Sequence, residues 1–230
     1  MKYVNKIGYE VEGLWSNNYH YLAEKIGGDF IEDGSVNFDY EERMAGMEME
    51  YRSNPRKTIK DIERDLKEIA HYFISGNETC GFHVHLSCKR RSIVSLLASW
   101  KFIKYFLKEI KKLYPEMYKK RAENSYCRTS KVNKEQVICY FFTGDGDRYR
   151  AVNLLSYRKH RTIEFRLFDM MEVKNCIKYI KSTKEIVEHF IEDELKKNKK
   201  IEAIVKSNND EVKKVFEIKE KVKIKQQLNV

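Results

Sequence analysis

The chain reads as an α+β domain in which helices cover one face of a sheet and leave the other free, and three features of its sequence predict this. Short stretches alternate polar and apolar residues with the two-residue period of a half-buried strand, as in Gly8-Tyr9-Glu10-Val11-Glu12-Gly13 and Phe82-His83-Val84-His85-Leu86-Ser87. Between them run segments whose apolar residues recur at helical spacing, such as Ile59, Ile62, Leu66, Ile69, Ala70 and Phe73. The strand-like stretches also carry charged or imidazole groups two residues apart, so each strand presents a polar pair on one face.

Residues 6–13 form the opening predicted strand. Ser16 or Asn17 caps a short helix through Tyr19, Leu22 and Ile26 that Gly27-Gly28 stops. The acidic turn Glu32-Asp33-Gly34-Ser35 separates extended pieces, and Met47-Glu48-Met49-Glu50-Tyr51-Arg52 alternates as a second strand. Asn54-Pro55 starts the next helix, since proline costs little where the missing amide donor has no helical partner. Its apolar stripe runs to Phe73, Gly76 ends it, and Gly81 leads into the strand that sets His83 and His85 on one face. One long helix is predicted over 92–112, with Leu96, Trp100, Ile103, Phe106, Leu107 and Ile110 on its apolar side. Residues 121–150 are irregular, and Thr143-Gly144-Asp145-Gly146-Asp147 within them is placed to frame or cover a site. Residues 151–157 and 162–168 read as neighbouring strands joined by the basic turn Arg158-Lys159-His160-Arg161, and a last helix spans 174–196. The organisation expected is one catalytic-type domain over 1–205 and a charged extension over 206–230, a strand or hairpin arm beyond the joint Ser207-Asn208-Asn209-Asp210.

At 230 residues and 42% apolar content the chain can bury a core without disulfides or structural metal. No apolar run is long enough to span a membrane, and Met1-Lys2-Tyr3-Val4-Asn5-Lys6 leads into a strand instead of a signal peptide's apolar core. Five cysteines without a CxxC pair fit a reducing compartment, so a cytoplasmic protein with no membrane partner is expected. The net charge of +10 sits largely on lysine-rich helix faces and ends, including 196–200. Such a field attracts polyanions in general, and nucleic acid is the less favoured partner.

The polar pairs carry the chemistry. Glu10 with Glu12, His83 with His85, and Glu164 with Arg166, joined by Glu50, would converge on the open face of the sheet. Burying so many carboxylates and imidazoles without compensating charge is costly. Divalent cations supply that charge, and carboxylate oxygens with an occasional imidazole suit Mg²⁺ or Mn²⁺ better than the cysteine-rich set of structural zinc.

These residues also carry a resemblance. Gly8-Tyr9-Glu10-Val11-Glu12-Gly13, Asp33-Gly34-Ser35, Glu50-Tyr51-Arg52-Ser53-Asn54-Pro55, Gly81-Phe82-His83-Val84-His85, Asn124-Ser125-Tyr126-Cys127, Arg148-Tyr149-Arg150-Ala151-Val152-Asn153-Leu154 and Thr162-Ile163-Glu164-Phe165-Arg166-Leu167-Phe168 occur in this order over roughly residues 5–195. The ordered set resembles the amidoligase family, of the carboxylate-amine ligase group that includes glutamine synthetase and glutamate-cysteine ligase. The resemblance implies a curved, mostly antiparallel sheet like the glutamine synthetase catalytic domain, with ATP and Mg²⁺ (Mn²⁺ as the alternative) on its concave face and helices on its convex face. It implies an amide or isopeptide bond made through an acyl phosphate, from a small-molecule or peptide carboxylate and an amine donor. By the same resemblance Glu10, Glu12, Glu50, His83 and Glu164 hold metal, and His85, Arg148, Arg150, Asn153 and Arg166 bind the nucleotide or substrate. Glu12, Glu50 and Arg166 take the catalytic roles.

The chain has no GxxxxGKS phosphate loop, so ATP would have to use this strand-borne site. The same metal and carboxylate set also suits a metal-dependent amide hydrolase or transferase, or a metal-dependent nuclease. A catalytically inactive nucleic-acid- or protein-binding module would keep the fold alone. General base, oligomeric state and substrates are not fixed by the residues.

Overall fold

The computed structural model describes residues 2–130, 136 and 146–197. The chain divides into two compact units, Met1–His189 and Phe190–Val230. The extension expected over 206–230, the joint before it, residues 143–145 and Cys139 lie outside the described residues.

The first unit is organised by its opening strand, β1 (Val4–Trp15), twelve residues long. It pairs with β3 (Met47–Arg52) on one side and β5 (Gly81–Cys88) on the other. β2 (Asp29–Ile31) lies beyond β3, and β7 (Ile163–Asp169) and β6 (Val152–Asn153) lie beyond β5, giving the order β2-β3-β1-β5-β7-β6. β4 (Phe73–Ser75) pairs with the end of β1 across a register shift. Among the described residues these seven strands form one sheet, and every strand pairing is antiparallel.

The expectation of a curved sheet of the glutamine synthetase type, with helices on its convex side, is corrected here. The sheet has two free ends and is neither curled nor closed. Its terminal strands are only three and two residues long, so they offer too short a hydrogen-bonded ladder to carry the sheet around. What holds is an α+β domain of mixed helices and strands.

The helices are α1 (His20–Ile26), α2 (Tyr40–Arg43), α3 (Ile59–Tyr72), α4 (Arg91–Leu97), α5 (Trp100–Leu113), α6 (Pro115–Ala122), α7 (Ser156–His160) and α8 (Val173–Lys197), with a 3-10 turn at Ser125–Cys127. Local chemistry explains where they depart from expectation. α3 starts at Ile59 because the Thr58 hydroxyl accepts from the Asp61 amide (3.1 Å), while Asn54-Pro55 leads into Arg56, whose amide donates to the Ile7 carbonyl (2.7 Å). The predicted single helix over 92–112 is two, because Ser99 caps α5 by accepting from the Phe102 amide (3.2 Å). α2 carries an Asp39/Glu42 capping box, and α6 begins with Pro115. The strand expected over 151–157 shrinks to two residues and gives way to α7, since Asn153 Oδ1 accepts from the Leu155 amide (3.0 Å) and turns the chain.

The sheet's apolar face is fully buried at Val11, Phe82, Val84 and Phe165. Phe165 meets Phe106 of α5 at 4.6 Å between ring centroids, and Phe168 stacks on Tyr179 of α8 at 4.6 Å. Trp15 packs edge-on against Phe30 and Phe73 and donates from Nε1 to the Met49 carbonyl (2.9 Å). This packing fixes the strands, and with them the residues that alternate onto the opposite face. Among the described residues no helix is long and apolar enough to cross a membrane.

Candidate metal and phosphate site

Strand register assembles the polar face row by row. Gly8 of β1 lies opposite His85 of β5, which lies opposite Glu164 of β7, itself opposite Asn153 of β6. In the next row Arg52 of β3, Glu10 of β1 and His83 of β5 are neighbours, and in the third Glu50 faces Glu12. The β5–β7 register shifts between Phe82 and Val84, which sets Arg166 beside this array while Leu167 and Phe168 both stay in the core. Glu12, Glu50, His83, His85, Asn153 and Glu164 are all buried.

The side chains interlock. His83 Nδ1 lies 2.9 Å from Glu10 Oε2 and 3.5 Å from Glu164 Oε1, while its Nε2 lies 3.4 Å from Glu12 Oε1. His85 Nε2 lies 3.2 Å from Glu10 Oε1, and its Nδ1 meets Thr162 Oγ1 (3.1 Å) and Ser156 Oγ (3.3 Å). Arg166 Nη1 donates to Glu164 Oε1 (2.5 Å), and Asn153 Nδ2 donates to Glu164 Oε2 (2.6 Å). Arg52 Nε pairs with Glu50 and lies 3.7 Å from Glu10. The Gly81 amide donates to Glu12 Oε2 (2.5 Å). Glycine is required there: a Cβ on residue 81 would stand 2.6 Å from His83 Nε2 and about 3 Å from both Arg121 Nη2 (3.0 Å) and Glu12 Oε2 (3.1 Å).

Two groups of three offer ligand atoms within 4.8 Å of one another: Glu10, His85 and Glu164, and Glu12, Asp33 and Glu50. Their electrostatics differ. Burial opposes ionisation of Glu10 and Glu164, yet His85 and His83 hold Glu10 well below the usual carboxylate range, and Arg166 and His85 hold Glu164 low. Burial alone would depress His85, but Glu10 and Glu164 raise it. In the second group burial raises Glu12 against the pull of His83 and Arg166. Burial, with Glu10 and Asp33 adding to it, pushes Glu50 up to about 9 against the pull of Arg52.

The donors fit a divalent cation. Glu12 is 2% exposed and its Oε1 has no hydrogen-bond partner, and neither has the buried Nε2 of His85 despite its proximity to Glu10. Both residues belong to these clusters, and carboxylate sets, with one imidazole in the first, suit Mg²⁺ or Mn²⁺.

Two cavities open over this face. One of about 270 Å³ is lined by the carboxylates Asp33, Glu50 and Glu164 together with the cations Arg148, Lys159 and Arg166. The second, of about 400 Å³, extends over Gly8, Ser53 and Thr162. Glu10, Arg52, His85 and His160 line both.

The structure brings Glu10, Glu12, Glu50, His83, His85, Asn153, Glu164 and Arg166 together, with Arg148 on the cavity wall. It does not bring Arg150: that side chain donates to Ser130 (2.6 Å to Oγ), faces Asp147 and lines a small pocket beside Ile103 and Leu107. It also adds residues outside the predicted site set. Arg52 was visible in the alternation of β3, on the face of Glu50. Asp33 arrives through a turn, its Oδ1 accepting from the Ser35 amide (2.8 Å). Arg121 of α6 is buried and donates to the carbonyls of Cys80 (3.2 Å) and Arg166 (3.3 Å), a role that no local pattern in its lysine-rich helix signals.

An α+β scaffold with two metal-capable carboxylate clusters beside a cation-lined cavity has the parts of a metal-assisted enzyme. The family described as "Putative amidoligase enzyme" matches residues 47–187. The chain belongs to that family, and with it to enzymes of the amidoligase, ligase type. Comparison with curated proteins finds no match. The matched span contains Glu50, His83, His85, Glu164 and Arg166, whereas β1 with Glu10 and Glu12 precedes it.

Proposed function

We propose that the protein is an ATP-dependent carboxylate-amine ligase working with Mg²⁺, or Mn²⁺ in its place. The observation that carries this reading is one cavity lined both by members of two carboxylate clusters and by Arg148, Lys159 and Arg166. Phosphoryl transfer needs that pairing, metal ligands on one side of a polyphosphate and fixed cations on the other. A divalent ion held there would neutralise phosphate charge and polarise the group being transferred.

In this reading Glu10, His85 and Glu164 form one ligand set and Glu12, Asp33 and Glu50 the other. His83, with one nitrogen toward Glu10 and the other toward Glu12, orients both sets. Arg166, fixed by Glu164, faces the phosphates, and Asn153 holds Glu164 from its other oxygen. A substrate carboxylate oxygen takes the γ-phosphoryl group and ADP departs. The amine then attacks the acyl carbon, orthophosphate leaves with the C–O bond electrons, and the nitrogen gives up a proton as the amide forms.

Calorimetric titration with a non-hydrolysable ATP analogue and Mg²⁺ tests this. Saturable binding that requires Mg²⁺ and is lost in a folded Glu12→Gln/Glu164→Gln double variant is expected. A folded wild-type protein that binds Mn²⁺ but no nucleotide overturns the ATP reading.

A further inference from the structure

The two cavities over the sheet share Glu10, Arg52, His85 and His160, yet the rest of their linings differ in chemistry. The smaller adds three cations, Arg148, Lys159 and Arg166, to its carboxylates. Arg148 and Lys159 make no ion pair among the described residues, so this cavity offers positive charge suited to a polyphosphate. The larger adds small and hydroxyl-bearing residues, Gly8, Ser53, Ser87 and Thr162, with one further cation, Lys6. Lys6 is exposed and, among the described residues, has no acidic partner. A single unpaired ammonium over a polar floor suits one carboxylate and too little charge for a triphosphate.

We infer that the 400 Å³ cavity over Gly8 is a separate seat for a carboxylate-bearing substrate, with Lys6 pairing a carboxylate and the reacting end of the molecule directed to the shared residues Glu10 and His85. The assignment rests on the ligase reading for what occupies the other cavity, but the seat is defined by its own residues. Gly8 makes it deep. It lies opposite His85 in the β1–β5 register, on the polar face with Glu10 and Glu12, and so leaves that face bare where a side chain would stand. A Cβ added there would make only ordinary contacts, 3.6 Å from His85 Cβ and 3.9 Å from Ser53 Oγ. The strand therefore tolerates a side chain at residue 8, and the space above is kept open by the glycine and not by strain.

The test uses glutarate as a dicarboxylate probe and cadaverine as a diamine of the same chain length, titrated into the full chain by calorimetry with and without Mg²⁺ and the ATP analogue. Wild-type protein binds glutarate and not cadaverine. Gly8→Val fills the seat and Lys6→Gln removes its cation, and each weakens glutarate roughly tenfold or more while the Kd for the Mg²⁺-dependent analogue stays within about twofold. Gly8→Ala, with one methyl, falls between. Absence of glutarate binding, equal binding of cadaverine, indifference to Gly8→Val, or competition between glutarate and the nucleotide analogue each overturns the separate seat. Should the analogue fail to bind while glutarate obeys the Gly8 and Lys6 pattern, the ligase reading fails and the carboxylate seat stands.

Discussion

The Glu10–His85–Glu164 and Glu12–Asp33–Glu50 clusters occupy the same face of the same sheet, yet they meet the cost of buried charge in opposite ways. In the first, His85 and Arg166 stand among the carboxylates, so Glu10 and Glu164 stay ionised and the imidazole is drawn toward its charged form. In the second, Arg52 serves Glu50 from one edge, His83 meets Glu12 only at 3.4 Å, and Glu50 retains its proton through neutrality. The first cluster is neutralised by the protein's own cations; in the second Glu50 is neutralised by a proton, while Asp33, bonded by Glu50 and Ser35, is held ionised. A metal ion entering the first competes with the proton that Glu10 and Glu164 favour on His85, and one entering the second must displace the Glu50 carboxyl proton.

The comparison breaks most sharply at Glu164. Its removal in Glu164→Ala takes the salt bridge from a largely buried Arg166 guanidinium and leaves it the Tyr126 carbonyl, and the expected loss is about 3–5 kcal/mol of stability by chemical denaturation. If the second cluster is independent of the first, Glu12→Ala costs clearly less, since it relieves carboxyl crowding as well as removing a bond. Gly81→Ala comes next. Its Cβ clashes with the hinge between clusters, at His83, Glu12 and Arg121, and about 1–3 kcal/mol of destabilisation is expected. Mn²⁺ affinity, followed by electron paramagnetic resonance, should fall by roughly ten- to a hundredfold because orientation of both ligand sets is disturbed.

The pH dependence of the metal-free protein separates the clusters by sign. Glu50 has a folded value of about 9 against an ordinary 4.5, so above 4.5 the unfolded chain releases a proton that the folded chain keeps. Its contribution therefore makes stability fall as pH rises from about 5 to 9, and Glu50→Gln should flatten that slope in Tm measured with chelator present. Glu10 and Glu164 act the other way: their folded values are lowered, so their stabilisation is present above the ordinary carboxylate range and is lost as pH falls through the folded values. His85, raised when folded, stabilises below the ordinary imidazole range and loses this as pH rises through its folded value. The smallest effect is a proton count. Mn²⁺ binding at pH 7 should release protons, read by calorimetry in buffers of different ionisation enthalpy, and Glu50→Gln should lower the count by about one.

Period-two alternation made the strand-borne half of this site legible. Once Glu10, Glu12, His83, His85, Glu164 and Arg166 were placed on strands, their common face followed from the pleat, and the apolar residues between them pointed to the core. The rest depends on chain reversals that local pattern does not encode. Asp33 reaches its cluster through an Asx turn, Arg121 through the docking of a short helix, and Arg148 and Arg150 leave an irregular segment in opposite directions with no period to orient them. Helix limits failed for a related reason. Ser99 and Thr58 cap their helices with a hydroxyl, concealed in one case by an apolar stripe running through Ser99 and in the other by the helix-start pair Asn54-Pro55 ahead of Thr58.

Placing β1 at the centre of the sheet also sets an order of assembly. Its first long partner, β3, ends at Arg52, but its other side is closed only when Cys88 has been made, so during synthesis one edge of the central strand waits for that residue. The strand that waits lies ahead of the span by which the family is matched. A chain trimmed to residues 47–187 would lose β1 and β2 together and separate β3 from β5-β7-β6, with two loose sheet edges where one spine had joined them.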